Sequence, residues 1–178
     1  TDSLPENLTL DMPIIPIGTP NSGDLKLTDG DTVLAGGTYW YTSIDLSGTA
    51  RLIYTGDTTV YVSGKVTFSG NSFVTTQTAE GNNIPANLTL CITTSSDVKL
   101  SGNSIFYGTI YAPIGEVGAP QYSEVGVTGN AAVYGAVIAR DIDMSGNAKL
   151  HYDEALVAAG SGDSDNWHLI SWREVFNP

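Results

Sequence analysis

The feature that most constrains this chain is a short corner that recurs in one frame. Ser47-Gly48, Ser69-Gly70-Asn71, Ser101-Gly102-Asn103, Thr128-Gly129-Asn130 and Ser145-Gly146-Asn147 each lie between two alternating stretches. Counting from the glycine, position minus four holds Ile44, Val66, Val98, Val125 and Ile142. Position minus two holds Leu46, Phe68, Leu100, Val127 and Met144. Position plus two is small (Ala50, Ser72, Ser104, Ala131, Ala148), and plus four is large (Leu52, Val74, Phe106, Val133, Leu150). Val60 and Val62 stand in the same relation to Gly64. A period of two on both sides of a corner means strands with one face turned inward. The glycine marks a bend that needs φ freedom or has no room for a side chain. The asparagine after it tolerates left-handed backbone and can bond its own main chain.

A strand, a tight corner and another strand, repeated, is what a parallel β-helix requires. The intervals Gly48–Gly64 and Gly129–Gly146 suggest coils of about 16–17 residues. Gly102–Gly129 fits one coil with an insertion around Gly115 to Tyr122, and Gly70–Gly102 fits two coils with the loop Ala79 to Pro85 between them. The gap from Gly64 to Gly70 is too short for a coil, so Gly64 is read as a different corner. An antiparallel sandwich would also alternate. It would not keep the Ser/Thr-Gly-Asn corners in one frame with the same small and large inward positions.

The expected fold is therefore all-β: a single-domain parallel β-helix (β-solenoid) spanning 1–178. Residues 1–24, carrying Pro5, Pro13, Pro16 and Pro20, read as an extended lead-in. Residues 25–156 hold the coils. Residues 157–178, with Trp167 and Trp172, read as a C-terminal aromatic cap, because a solenoid must close its open end.

Twenty glycines and only 15% charged residues suit strands and turns. A net charge of −12 repels nucleic acid and anionic lipid, so neither is an expected partner. No run approaches the about 18 apolar residues of a membrane span. The chain opens on Thr1-Asp2-Ser3-Leu4 with no Met or signal peptide, and reads as an ectodomain separated from its anchor or signal. Cys91, the one cysteine, lies in the apolar run Leu88 to Ile92 and is expected to be a small buried hydrophobe.

Several strings carry a resemblance: Ala35-Gly36-Gly37-Thr38-Tyr39-Trp40, Tyr107-Gly108-Thr109-Ile110-Tyr111-Ala112-Pro113, His151-Tyr152-Asp153-Glu154-Ala155-Leu156 and Ser171-Trp172-Arg173-Glu174. With the Ser-Gly-Asn corners between them, roughly residues 24 to 175 resemble an uncharacterised bacterial ectodomain. That domain follows pilin-like, PilX-type segments and occurs in cell-surface and exported proteins. The resemblance implies a surface or pilus-associated β-solenoid with no established catalytic residues.

Candidate sites are sparse. Tyr39-Trp40-Tyr41 offers rings that could stack on sugar, with Tyr39 and Tyr41 on one face of the strand and Trp40 on the other. Tyr122 in the insertion and Trp167 near the cap complete the ligand-binding candidates. Asp163 and Asp165 are weak Ca²⁺ candidates, as are Asp29 and Asp31, since neither pair has the full acidic loop. Arg140, Asp141, Asp143, Lys149, His151, Asp153 and Glu154 form the densest charged group, where Asp143 and Lys149 could make an exposed ion pair. His151 replaces Tyr107 and Tyr134 in the repeat frame. Tyr61, Tyr107, Tyr111 and Tyr134 are expected to stack as one column. Thr58-Thr59, Thr75-Thr76 and Thr93-Thr94 do not keep a common frame, which argues against an ice-binding surface.

The expected function is a non-catalytic structural or adhesive module, extracellular or on a bacterial cell surface. Its partner would be a polysaccharide or another surface protein, with no direct membrane insertion. A carbohydrate-binding module is the alternative, with a polysaccharide-active enzyme behind it. No catalytic residue, resident metal or cofactor is assigned.

Overall fold

The computed structural model describes residues 23–112, 123–154 and 156. Strands alternate between two sheets. β1 (Asp24–Leu27) in the first sheet leads to β2 (Asp31–Tyr41) in the second, and β3 (Ser43–Leu46) leads to β4 (Arg51–Val62). β5 (Val66–Phe68) leads to β6 (Phe73–Thr76) and β7 (Leu88–Ile92), and β8 (Val98–Leu100) to β9 (Ile105–Ala112). β10 (Glu124–Val127) leads to β11 (Ala132–Ala139), and β12 (Asp141–Met144) to β13 (Lys149–Tyr152). Every pairing between these strands is parallel. Parallel neighbours cannot be joined by a hairpin, so the chain crosses to the other sheet before returning. Each crossing and return makes one tier, six in all among the described residues. The fold is all-β with parallel sheets.

The recurring corner joins the sheets. At Gly102 φ is +69°, and an added Cβ would lie 2.8 Å from the Gly70 carbonyl oxygen. Only glycine satisfies both conditions. No described non-glycine residue has positive φ, so the asparagines do not use the left-handed backbone that they tolerate. They bond one another instead. Asn103 Nδ2 donates to Asn71 Oδ1 at 2.9 Å, Asn130 to Asn103 at 3.0 Å and Asn147 to Asn130 at 3.2 Å. Beneath them Asn103 N–H donates to Gly70 O at 2.7 Å, and Asn130 N–H to Gly102 O at 2.8 Å.

This row corrects the expected coil lengths. Asn71 and Asn103 are 32 residues apart yet directly bonded, so Gly70–Gly102 is one tier and not two. The later steps are 27 and 17 residues. Only the last matches the expected coil of about 16–17. The long third tier arises because residues 77–87 interrupt what is one continuous strand in β4 and β9. β6 and β7 are its two halves, each pairing with β4 and β9. Gly64 lies at a separate corner, against the Thr42 backbone, as its spacing suggested.

The inward positions of the frame build the core. Leu46, Val66, Val98, Leu100 and Val125 from the first sheet are fully buried, as are Val62, Ile92, Ile110 and Val133 from the second. Phe68 and Phe106 stack across the interior with ring centroids 5.8 Å apart. Ala50, Ser72, Ser104 and Ala131 are buried at the plus-two position, where only a small side chain fits against the corner. The frame fails at the sixth tier. Ile142, Met144 and Leu150 are 44%, 41% and 41% exposed, whereas Val125, Val127 and Val133 one tier earlier are at most 1% exposed. No strand is described beyond β12 and β13. The lead-in before Gly23, the insertion around Gly115 to Tyr122 and the cap at 157–178 lie outside the described residues.

Candidate functional site

The aromatic triplet ends β2, and strand alternation divides it. Tyr41 points inward and is buried in the core. Tyr39 lies on the same side, half-buried, with its ring 5.3 Å from Tyr54 and 6.2 Å from Tyr41. Its hydroxyl donates to Ala35 O at 2.7 Å. Burial raises the pKa of Tyr41, partly opposed by the Tyr54 hydroxyl, and burial raises that of Tyr54 strongly. Tyr41 is thus part of the core and presents no ring to a ligand, while Tyr39 keeps part of its surface exposed. The inner face of this tier needs large side chains, and these rings fill it.

Trp40 faces outward. Its register partner is Tyr61 on β4, and the two rings stack 4.2 Å apart at 19°. Cys91 and Tyr111 continue the row and are buried. Burial pushes the Cys91 thiol up to about 11, so it is protonated at neutral pH and unsuited to nucleophilic work. The row beside it is Thr38, Thr59, Thr89 and Thr109, each paired with the next across adjacent parallel strands. All four are at least partly exposed. The pairs Thr58-Thr59, Thr75-Thr76 and Thr93-Thr94 do not share a frame, as expected, yet a threonine row exists that takes only Thr59 from them. Counting from the glycine corner missed it because β2 has a register irregularity between Ala35 and Gly37, and residues 77–87 shift the third tier. Aligning the chain on Trp40, Tyr61 and Tyr111 would have found it.

The expected single tyrosine column is two columns. Tyr107 and Tyr134 stack at 4.6 Å, and Tyr134 and His151 at 4.5 Å, on the other half of the second sheet. Phe73 tilts against Tyr107 at 5.6 Å. His151 thus ends an aromatic stack in the tyrosine position, as its place in the frame implied. Tyr61 and Tyr111 belong to the Trp40 row.

Asp29 Oδ1 accepts from Thr49 at 3.0 Å, and Asp31 pairs with Arg51 at 2.9 Å, so both serve the first corner. Ion pairs among the described residues include Lys26–Asp45, Arg51–Asp31 and Lys99–Asp97, and the expected Asp143–Lys149 pair is not formed. No cluster of three His, Cys, Asp or Glu side chains suited to a metal occurs among the described residues. Tyr122, Trp167, Asp163 and Asp165 lie outside them. Among the described residues no helix is long and apolar enough to cross a membrane.

Residues 19–159 match a family described as Domain of unknown function (DUF7305). The chain belongs to this family. The match takes in every described tier of the DUF7305 domain, from β1 to β13, and stops before Trp167. No curated protein and no solved structure matches the chain.

Proposed function

We propose that the two parallel sheets are the walls of a β-solenoid, and that this solenoid is a non-catalytic structural or adhesive module. It is displayed outside a bacterial cell, on the surface or on a pilus-associated protein. The observation that carries the reading is the continuity of side-chain rows along one axis. The Asn71–Asn147 row and the Tyr107–His151 stack each join successive tiers by direct contact. Such rows stiffen an elongated body and spread load over many weak bonds, which suits a spacer or a presenting arm. The net charge of −12 keeps such a body soluble and apart from anionic surfaces. Antibody labelling of intact cells of the source bacterium tests the placement. The epitope should be reached, and destroyed by external protease, without lysis. Detection only after lysis overturns it.

A second reading is favoured by one specific surface. The outward Trp40–Tyr61 stack beside the threonine row offers apolar ring area next to hydroxyls, the mix that holds sugars. The ligand would then be a polysaccharide. Affinity electrophoresis across a panel of polysaccharide gels should show retardation that is lost in Trp40→Ala and Tyr61→Ala. Free migration on every glycan sinks this reading.

A further inference from the structure

The loop between β6 and β7 spends most of its polar side chains on itself. Asn83 Oδ1 accepts from Thr75 at 3.2 Å and from Gln77 at 3.0 Å, and Thr78 Oγ1 accepts from the Glu80 and Asn82 N–H groups. Asn71, Asn103, Asn130 and Asn147 are likewise committed, to the row at the corner. Asn87 stands apart: among the described residues its side-chain amide makes no hydrogen bond, and neither does the Thr89 hydroxyl. Local structure turns both outward. Pro85–Asn87 forms a single 3-10 turn, in which Asn87 N–H donates to Ile84 O at 3.2 Å, and Leu88 is extended at φ −126° and ψ 122°. Leu88 is 1% exposed and anchored in the core. Alternate residues of extended chain share a face, so an inward Leu88 sets Asn87 and Thr89 together on the outer face, both half-buried.

We propose that Asn87 is a glycosylation site, its amide carrying a sugar linked through Nδ2. Asn87-Leu88-Thr89 is an Asn-x-Thr triplet whose middle residue is not proline. Such a triplet offers a transferase two handles, the amide that accepts the sugar and the hydroxyl two residues on. Here the extended Leu88 and its core packing hold both handles on one face. The donor is a sugar diphosphate, carried by a lipid or by a nucleotide. The transferase breaks the bond from C1 to the diphosphate oxygen, forms the C1–Nδ2 bond and removes one amide proton as the diphosphate leaves. A sugar on Asn87 would stand over the outer face at the foot of loop 77–87, with no core side chain displaced. The tetrapeptide Asn-Leu-Thr-Leu also occurs at 7–10, outside the described residues, and is no part of this site.

Mass spectrometry of the full chain made in the source bacterium tests this. Tryptic cleavage after Lys65 and Lys99 gives one peptide, 66–99, in which Asn87-Leu88-Thr89 is the single triplet of this kind. That peptide should carry a sugar mass, and electron-transfer fragmentation should place it on Asn87. Asn87→Gln and Thr89→Ala should each abolish the modification, and Thr89→Ser should retain it. A single sugar unit assigns the donor as nucleotide-linked, and a preassembled oligosaccharide assigns it as lipid-linked. Envelope and cytoplasmic fractions are measured separately, so that modification is scored apart from where the protein resides. An unmodified Asn87 in both fractions overturns the proposal. So does a sugar placed on Thr89 itself, or one on Asn87 that persists in Thr89→Ala.

Discussion

At the residue scale the asparagine corner combines a local constraint with a long-range bond. The glycine takes the left-handed backbone, which frees the next side chain to reach along the stack. Asn103 both donates and accepts within the row, whereas Asn147 only donates. An exposed side-chain hydrogen bond contributes about 0.5–1 kcal/mol. Asn103→Ala should therefore lower unfolding stability in urea about twice as much as Asn147→Ala. Equal effects would mean that the second bond made by Asn103 adds nothing to stability. Cys91 supports a prediction of different sign. Its folded pKa, about 11, lies above the ordinary 9.0 because burial disfavours the thiolate. Its contribution is therefore complete below pH 9 and is lost as pH rises through 11. Buried Tyr41 and Tyr54 act in the same direction. Urea midpoints should fall steeply over that alkaline range, and less steeply in Cys91→Ala. The glycine and inward positions were legible in the sequence because sterics act on each residue alone. The bonding between asparagines was not, since it depends on which tiers become neighbours.

At the element scale the strands of the second sheet are long but not straight. Gly135, at φ +144°, bends β11 where it lies against the Gly108 backbone of β9. A side chain there would meet main chain on one side and strained torsions on the other. Gly135→Ala should cost about 3 kcal/mol or more, measured by denaturant unfolding, through both strain and collision. Gly81→Ala, with φ +83° but open space around it, should cost only about 1–2 kcal/mol. Alternation in the sequence marked these strands and their inward residues correctly. It could not separate Gly70–Gly102 into one tier with an interruption or two tiers without, because both give the same periodicity. The same ambiguity hid the threonine row. For the candidate site, alternation correctly set Trp40 opposite Tyr39 and Tyr41. The side facing water was legible only once β4 supplied Val60 and Val62 as inward neighbours of Tyr39 and Tyr41.

At the scale of the whole molecule the tiers form a graded series. The middle tiers have neighbours on both sides and bury nearly all of their inward residues, while β12 and β13 are exposed throughout. Amide hydrogen exchange should be slowest in β4, β5, β8 and β9 and fastest in β12 and β13, since opening free energy follows local burial. Uniform protection across the tiers would show that the array opens as one unit. The unequal steps of the asparagine row carry a further consequence. Asn71, Asn103, Asn130 and Asn147 are separated by 32, 27 and 17 residues, yet the geometry between neighbours is the same. The stacked corners do not register how much chain is spent before the next return, because closing a longer surface loop costs little extra entropy. Residues 77–87 are thus a natural grafting port. A foreign peptide placed there should change what the molecule displays on its flank without changing the scaffold that displays it.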